Sequence, residues 1–220
     1  MEGIFLVDKP AGWTSHDVVA KVRAIIRSQT GQKVKVGHTG TLDPFATGLL
    51  ILVVGLYTKR AAKFSKMDKV YEAELTLGKI STTGDIEGEI SPKSTKKPTA
   101  KQARAVLSQF EGQIEQTPHP YSAVKVGGQR AYKMARQGKE VKLEPRQVTV
   151  YRLQVTEYKY PKLKIVTEVS SGTYIRSLAE DIGQKLGTGA YLSSLRRTKV
   201  GQYDVRDASG IDALDLSKHL

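Results

Sequence analysis

The segment GHTGTLDPFATGLL, Gly37 to Leu50, sets a single carboxylate, Asp43, among glycines at 37, 40 and 48 and threonines at 39, 41 and 47. Glycines permit tight turns and close approach of a ligand to the backbone. The hydroxyls offer hydrogen bonds, and Asp43 is the only acid available in the loop. A phosphate-cradling loop of the GxxxxGK[ST] type would need a lysine that this loop lacks. The same residues also fit a purely local device, with Asp43 as a helix N-cap and Pro44 at the first helical position. A second segment, SSGTYIRSLAEDIG, Ser170 to Gly183, leads from a strand through a glycine turn into a helix carrying Tyr174 and Arg176. Arg176 and Glu180 are four apart, the spacing of a surface ion pair. Arg176 also flanks the apolar stripe, from which it could reach back to hold a carboxylate in a cleft.

The charge asks for a partner. Against 22 Asp and Glu stand 35 Lys and Arg, a formal charge of +13 in 220 residues. Basic residues gather over Lys59–Lys69, Lys93–Arg104, Lys125–Arg146 and Arg196–Lys199. Several separated patches suit an extended folded RNA better than one small phosphate ligand. Tyr71 lies on the apolar face of its strand, as a packed core tyrosine would. At the edge of that face it could instead stack on an extruded base, with its hydroxyl serving as acid or base. His38 by itself reads as a hydrogen-bonding loop residue. Trp13 and the Lys9–Pro10 pair read as a turn closing the first strand.

The elements that must position these residues follow from periodicity. Gly3–Val7 reads as a strand, and Ser15 as the cap of a helix with Val18, Val22, Ile25 and Ile26 at helical spacing. Lys69–Leu77 alternates as a strand, with Tyr71, Ala73, Leu75 and Leu77 on one face. Residues 78–98 read as a hairpin or loop, and Thr99 caps a helix carrying Ala103, Val106, Leu107 and Phe110. From about 113 to 147 the pattern breaks into a basic, partly mobile insertion. Strands return at Val148–Tyr158 and Leu163–Val169, followed by an amphipathic helix ending at Gly187 and an acidic-apolar tail, GIDALDLSKHL. Strands and helices mix without a βαβ rhythm, which predicts an α+β fold with a central mixed, largely antiparallel sheet in a single domain, 1–220. The chain contains no cysteine, and its histidines (16, 38, 119, 219) show no ligand spacing, so neither thiolate chemistry nor a structural metal is expected. No apolar run reaches the ~18–20 residues of a membrane span, and Met1-Glu2 does not open a signal peptide. A soluble, cytoplasmic protein is expected.

Six segments in order, DKPAGWTSHD, GHTGTLDPFATGLL, KVYEAELTLG, PYSAVKVGGQRAYKMARQG, SSGTYIRSLAEDIG and LRRTKVG, closely resemble the TruB family of tRNA pseudouridine synthases over about residues 3–205. The resemblance implies that Asp43 is the essential aspartate that attacks the target nucleoside. It makes Tyr71 the tyrosine on the flipped base and the acid/base of the isomerisation, and Arg176 the arginine paired with the aspartate. Leu195 would line the pocket, with Lys59 and Tyr174 as further pocket residues, and His38 would enter the RNA stack in place of the target base. Lys9 and Pro10 fall in a motif that buttresses the catalytic loop. The insertion at 113–147 resembles the thumb that closes over an RNA arm, and Arg196 and Arg197 complete the expected RNA-binding set. The implied substrate is the uridine at position 55, in the T loop of tRNA, handled by a monomer with no cofactor, no membrane and no obligate protein partner. The family's usual C-terminal RNA-binding PUA domain is not expected in this chain.

The chemistry is consistent with that implication. Isomerising uridine breaks the N-glycosidic bond and rejoins C5 to C1′ with no change of mass or oxidation state, through either a glycal or a covalent adduct. It needs an ionised carboxylate, which a paired guanidinium favours, and a base out of its stack, which costs a few kcal/mol. RNA loops suit this, because their bases splay readily. A non-enzymatic RNA-binding or RNA-folding module using the same basic surface is the competing reading; a nucleotide hydrolase is a more distant one.

Overall fold

The computed structural model describes residues 1–211, so all but the first two residues of the expected acidic-apolar tail lie outside them. The chain enters through strand β1 (Gly3–Lys9) and helix α1 (Ser15–Thr30). Thr14, not Ser15, caps α1: its side chain accepts from the Asp17 amide while the Asp17 carboxylate accepts from the Thr14 amide. Ser15 is buried, and its hydroxyl is committed elsewhere, to Leu42. Strands β2 (Val36–His38) and β3 (Thr47–Val54) follow, β3 being the buried apolar run. A 3-10 segment and the short helix α2 (Ala61–Ser65) lead to β4 (Lys69–Leu77), which buries Tyr71, Ala73, Leu75 and Leu77 as its alternation predicts. The turn-rich stretch forms a hairpin, β5 (Lys79–Ser81) with β6 (Ile90–Pro92). Helix α3 (Ala100–Leu107) is capped by Thr99 with Gln102 in a reciprocal capping box.

The insertion is shorter than the sequence pattern suggests. Its first residues belong to β7 (Gly112–Gln116), and β10 (Arg146–Lys159) takes up the chain at its end. Between them lie a hairpin of β8 (Lys125–Val126) and β9 (Gln129–Arg130) and helix α4 (Ala131–Arg136). The polar character of GQIEQ hid β7, whose residues are mostly exposed. The chain then runs through β11 (Lys162–Val169), α5 (Ile175–Leu186), β12 (Ala190–Val200), β13 (Tyr203–Asp204) and β14 (Ser209–Gly210). Gly187, at φ 71°, ends α5 in the left-handed region.

Two compact units emerge, one comprising residues 1–72 with those from Leu195 on, the other Ala73–Ser194. In the first, β3 pairs antiparallel with β1 from Gly3↔Val54 to Lys9↔Gly48 and with β2, and parallel with β12 at Arg196↔Thr47 and Arg197↔Gly48. Leu49, Ile51, Val53, Phe64 and Val200 form a core there. In the second, the strand order is β12, β4, β11, β10, β7, and β10 runs antiparallel to both its neighbours. Leu178, Ala179, Ile182 and Leu186 of α5 and Ala103 and Leu107 of α3 are buried in it. This is the expected α+β architecture with a mixed, largely antiparallel sheet. Among the described residues, no helix is long and apolar enough to cross a membrane.

One charge in the second unit tunes stability. Burial, and then the neighbouring Glu180, push Asp181 of α5 up to about 6. A carboxyl raised in the folded state favours folding while both states are protonated, below about pH 4. That advantage is lost as the pH rises through about 6. Asp181→Asn is therefore expected to stabilise the protein at pH 7.5 by about 1 kcal/mol, allowing for partial exposure, and to leave stability below pH ~4 unchanged. Thermal midpoints across this range check it; equal midpoints at pH 7.5 would refute it.

Candidate active site

In the first unit the Asp43 loop is held from beneath by buried cations. Lys9, at the end of β1, is fully buried, and its ammonium donates to the carbonyls of Pro10 (2.9 Å), Trp13 (2.7 Å) and Pro44 (3.2 Å). Arg197 of β12, only 2% exposed, donates from Nε to Leu49 O (2.7 Å), from Nη2 to Gly40 O (3.0 Å) and from Nη1 to Thr41 O (3.4 Å). Ser15 holds Leu42 through both its amide (2.8 Å) and its carbonyl (3.1 Å). The Gly12 amide donates to Pro44 O, and the Ala46 amide closes a turn onto Asp43 O. Main-chain groups from Gly40 to Asp43 are thus fixed, and Asp43 itself is half-buried. Asp43–Pro44 starts a turn and no helix, because β3 begins only three residues after Pro44.

Gly48 makes the close packing possible. Its φ is +103°, and a Cβ there would lie 2.3 Å from the Arg197 carbonyl oxygen. No other residue type fits that conformation and contact.

Arg196 and Arg197 alternate along β12 and so have opposite fates. Arg197 was expected on the RNA-gripping surface; the structure corrects this, since its guanidinium is buried and spent on loop carbonyls. Arg196 is partly exposed and forms a two-pronged pair with Asp8 (Nη1–Oδ1 3.0 Å, Nη2–Oδ2 2.7 Å). His38 ends β2, half-buried, at the entrance of the loop, and Lys59 is exposed on the 3-10 segment. Tyr71 and Leu195 are buried in this unit. Two residues before Tyr71, the Lys69 ammonium turns onto the carbonyls of Ser65 (2.8 Å) and Met67. Burial, with Arg197 close by, pulls it down to about 8.

In the second unit Arg176 is 5% exposed, which excludes the surface i,i+4 ion pair with Glu180. Its Nη1 lies 3.2 Å from Asp85 Oδ2 and donates to Thr83 O (2.9 Å), while Nη2 donates to Tyr121 O (2.7 Å). Asp85, 1% exposed, also accepts from the Thr83 hydroxyl (2.5 Å) and the Glu87 amide (3.0 Å). Tyr174 is the N-cap of α5, and the buried Gln116 amide clamps it, accepting from its N–H (2.7 Å) and donating to its carbonyl (3.1 Å). The Arg146 guanidinium lies over the Tyr174 ring at 4.9 Å. Asp85 and Gln116 escaped the sequence reading. The only signal for Asp85 was an acid inside the glycine turn TTGDIEG, and for Gln116 a glutamine at the end of a weak strand.

A model described as TruB family pseudouridylate synthase (N terminal domain) matches residues 27–175, and one described as tRNA pseudouridylate synthase B C-terminal domain matches 176–219. The chain belongs to the TruB family. Its relatives include proteins named tRNA pseudouridine synthase B from Thermobifida fusca, 45% identical over 97% of this chain and 74% of that protein, and from Opitutus terrae, 41% identical over 98% and 88%. Among solved structures, a chain of a Cbf5-Nop10-Gar1 complex aligns at TM-score 0.73 with 30% identity, over 96% of this chain and 54% of that one. As a TruB-family pseudouridine synthase, the chain isomerises uridine to pseudouridine in tRNA.

For this TruB chain, Asp85→Asn removes the charge from the partner of a buried guanidinium. Uncompensated buried charges are costly, about 3 kcal/mol in stability. We expect a fall in single-turnover rate of roughly ten- to a hundredfold, since 1.4 kcal/mol is a factor of ten in rate. Melting and single-turnover assays on one preparation test it; a rate within twofold of wild type would show that Asp85 does not serve Arg176.

Proposed function

We propose that the uridine isomerised is that at position 55 in the T loop of tRNA, and that Asp43 is the carboxylate that breaks its N-glycosidic bond. The observation carrying this reading is the loop itself. Two buried cations and a buried serine hydroxyl fix the main chain on both sides of Asp43, as precise placement of a reacting group requires. In the reaction the N1–C1′ bond breaks, the freed uracil turns, C5 bonds to C1′, the C5 proton leaves to solvent and N1 takes up a proton. Tyr71 serves as acid or base on the flipped base, and Arg176 supplies the guanidinium that favours an ionised carboxylate. His38 fills the stack the base has left, while Leu195, Lys59 and Tyr174 line the pocket. Exposed cations of the insertion, Lys125, Arg130, Lys133, Arg136, Lys139 and Lys142, grip phosphates and offset the cost of flipping. The chain acts as a monomer, without a protein partner, in the cytoplasm.

The purified chain alone, incubated with tRNA carrying tritium at uracil C5, should release one equivalent of tritium. A minimal T-arm hairpin should behave alike. Replacing the uridine at position 55 with cytidine should abolish release; release that persists would overturn the assignment of the target.

A further inference from the structure

One histidine lies beside Arg176 without a place in the mechanism above. His119, 8% exposed, sits in the QTPHPYS segment that follows β7. Its Nδ1 accepts the Tyr121 main-chain N–H at 3.2 Å. Its Nε2 faces Glu180 Oε1 of α5 at 3.6 Å. An amide N–H can only donate, so Nδ1 must carry a lone pair, and in neutral imidazole the proton then sits on Nε2, toward the carboxylate. The Tyr121 ring lies 5.8 Å from the imidazole, tilted by 30°. The charged group in contact with it is Glu180 of α5. The same Tyr121 hands its carbonyl to Arg176 Nη2 at 2.7 Å.

We propose that His119 is a positioning residue for Arg176: by holding the Tyr121 amide it fixes the carbonyl against which the guanidinium rests. Without that acceptor the Tyr121 main chain loses the contact that orients it. The effect on turnover rests on the catalytic role proposed for Arg176; the geometry of the latch does not.

Two variants separate the possibilities. His119→Phe keeps the bulk and loses the acceptor. It should lower kcat about tenfold at pH 7.5, the worth of one hydrogen bond in such a chain, and leave tRNA affinity within about twofold. His119→Asn places an amide oxygen where Nδ1 stood. It should retain kcat at pH 7.5. Unchanged kcat in His119→Phe, or an equal loss of kcat in His119→Phe and His119→Asn, would overturn the proposal. Exchange of the Arg176 guanidinium protons, followed by NMR, gives a readout independent of turnover: faster in His119→Phe, slow in His119→Asn. Slow exchange in both would overturn the latch even in a protein without isomerase activity, whereas an inactive wild type with the expected exchange pattern would overturn only the proposed function.

Discussion

Asp43→Asn is expected to abolish tritium release, with the rate falling at least about a thousandfold while tRNA binding stays within threefold. The substitution keeps the shape of the side chain and removes only its charge and nucleophilicity. The path of the loop is held by other groups: Lys9 holds Pro44 O, Arg197 holds Gly40 O, Ser15 holds Leu42, and the turn onto Asp43 uses main-chain groups. The variant should therefore melt close to wild type, and a lost rate reads as lost chemistry. A non-enzymatic RNA-folding module would tolerate the change in every assay. Retained tritium release would remove Asp43 from the mechanism; lost release with lost folding would make it a structural residue.

Arg197→Met should be damaging in a different way. The buried guanidinium satisfies Leu49 O, Gly40 O and Thr41 O, and a thioether reaches none of them. Buried carbonyls left unpaired cost about 1–3 kcal/mol each at most, and partial relaxation makes about 3 kcal/mol a reasonable sum. For a chain of this size that lowers the melting midpoint by about 10 °C. Turnover at a temperature where the variant is folded should still fall by more than tenfold, because Gly40 and Thr41 lose their anchor next to Asp43. Arg197→Lys should rescue only part, since one ammonium cannot reproduce the planar fork. The salt dependence of tRNA binding separates this role from a phosphate contact. A buried arginine leaves the slope of log affinity against log salt unchanged, whereas a lost phosphate contact reduces it by about one.

What could be read from the chain and what could not divide along a physical line. Local periodicity placed β4, α3 and α5, and glycine density placed the Asp43 loop. Decisions made by distant partners stayed hidden. Thr14 and Ser15 are both good caps by type; Leu42, 27 residues away, draws Ser15 inward and leaves Thr14 at the helix end. The pair Arg196–Arg197 looks uniformly basic, and one residue of it must face inward by strand alternation. Which one depends on the Arg197↔Gly48 register with a strand almost 150 residues earlier. Arg176 was singled out from its own segment, whereas its carboxylate partner lies 91 positions away in a turn whose composition predicts only a turn.

The insertion leaves the sheet at Gln116 and returns at Arg146, and those two residues are directly paired across β7 and β10. For the sheet, 29 intervening residues therefore amount to a hairpin turn, and adjacent strands hold the two ends about 5 Å apart whatever lies between. Lengthening or shortening such an excursion changes closure entropy by only about 0.6 kcal/mol per doubling. The segment proposed to grip RNA is thus a replaceable attachment. A graft that begins after Tyr121 and ends before Arg146 would keep the His119–Tyr121 latch, the Gln116 clamp on Tyr174 and the strand register. Reach and grip along the RNA could then be altered by exchanging that cassette, with the residues that hold Arg176 left in place.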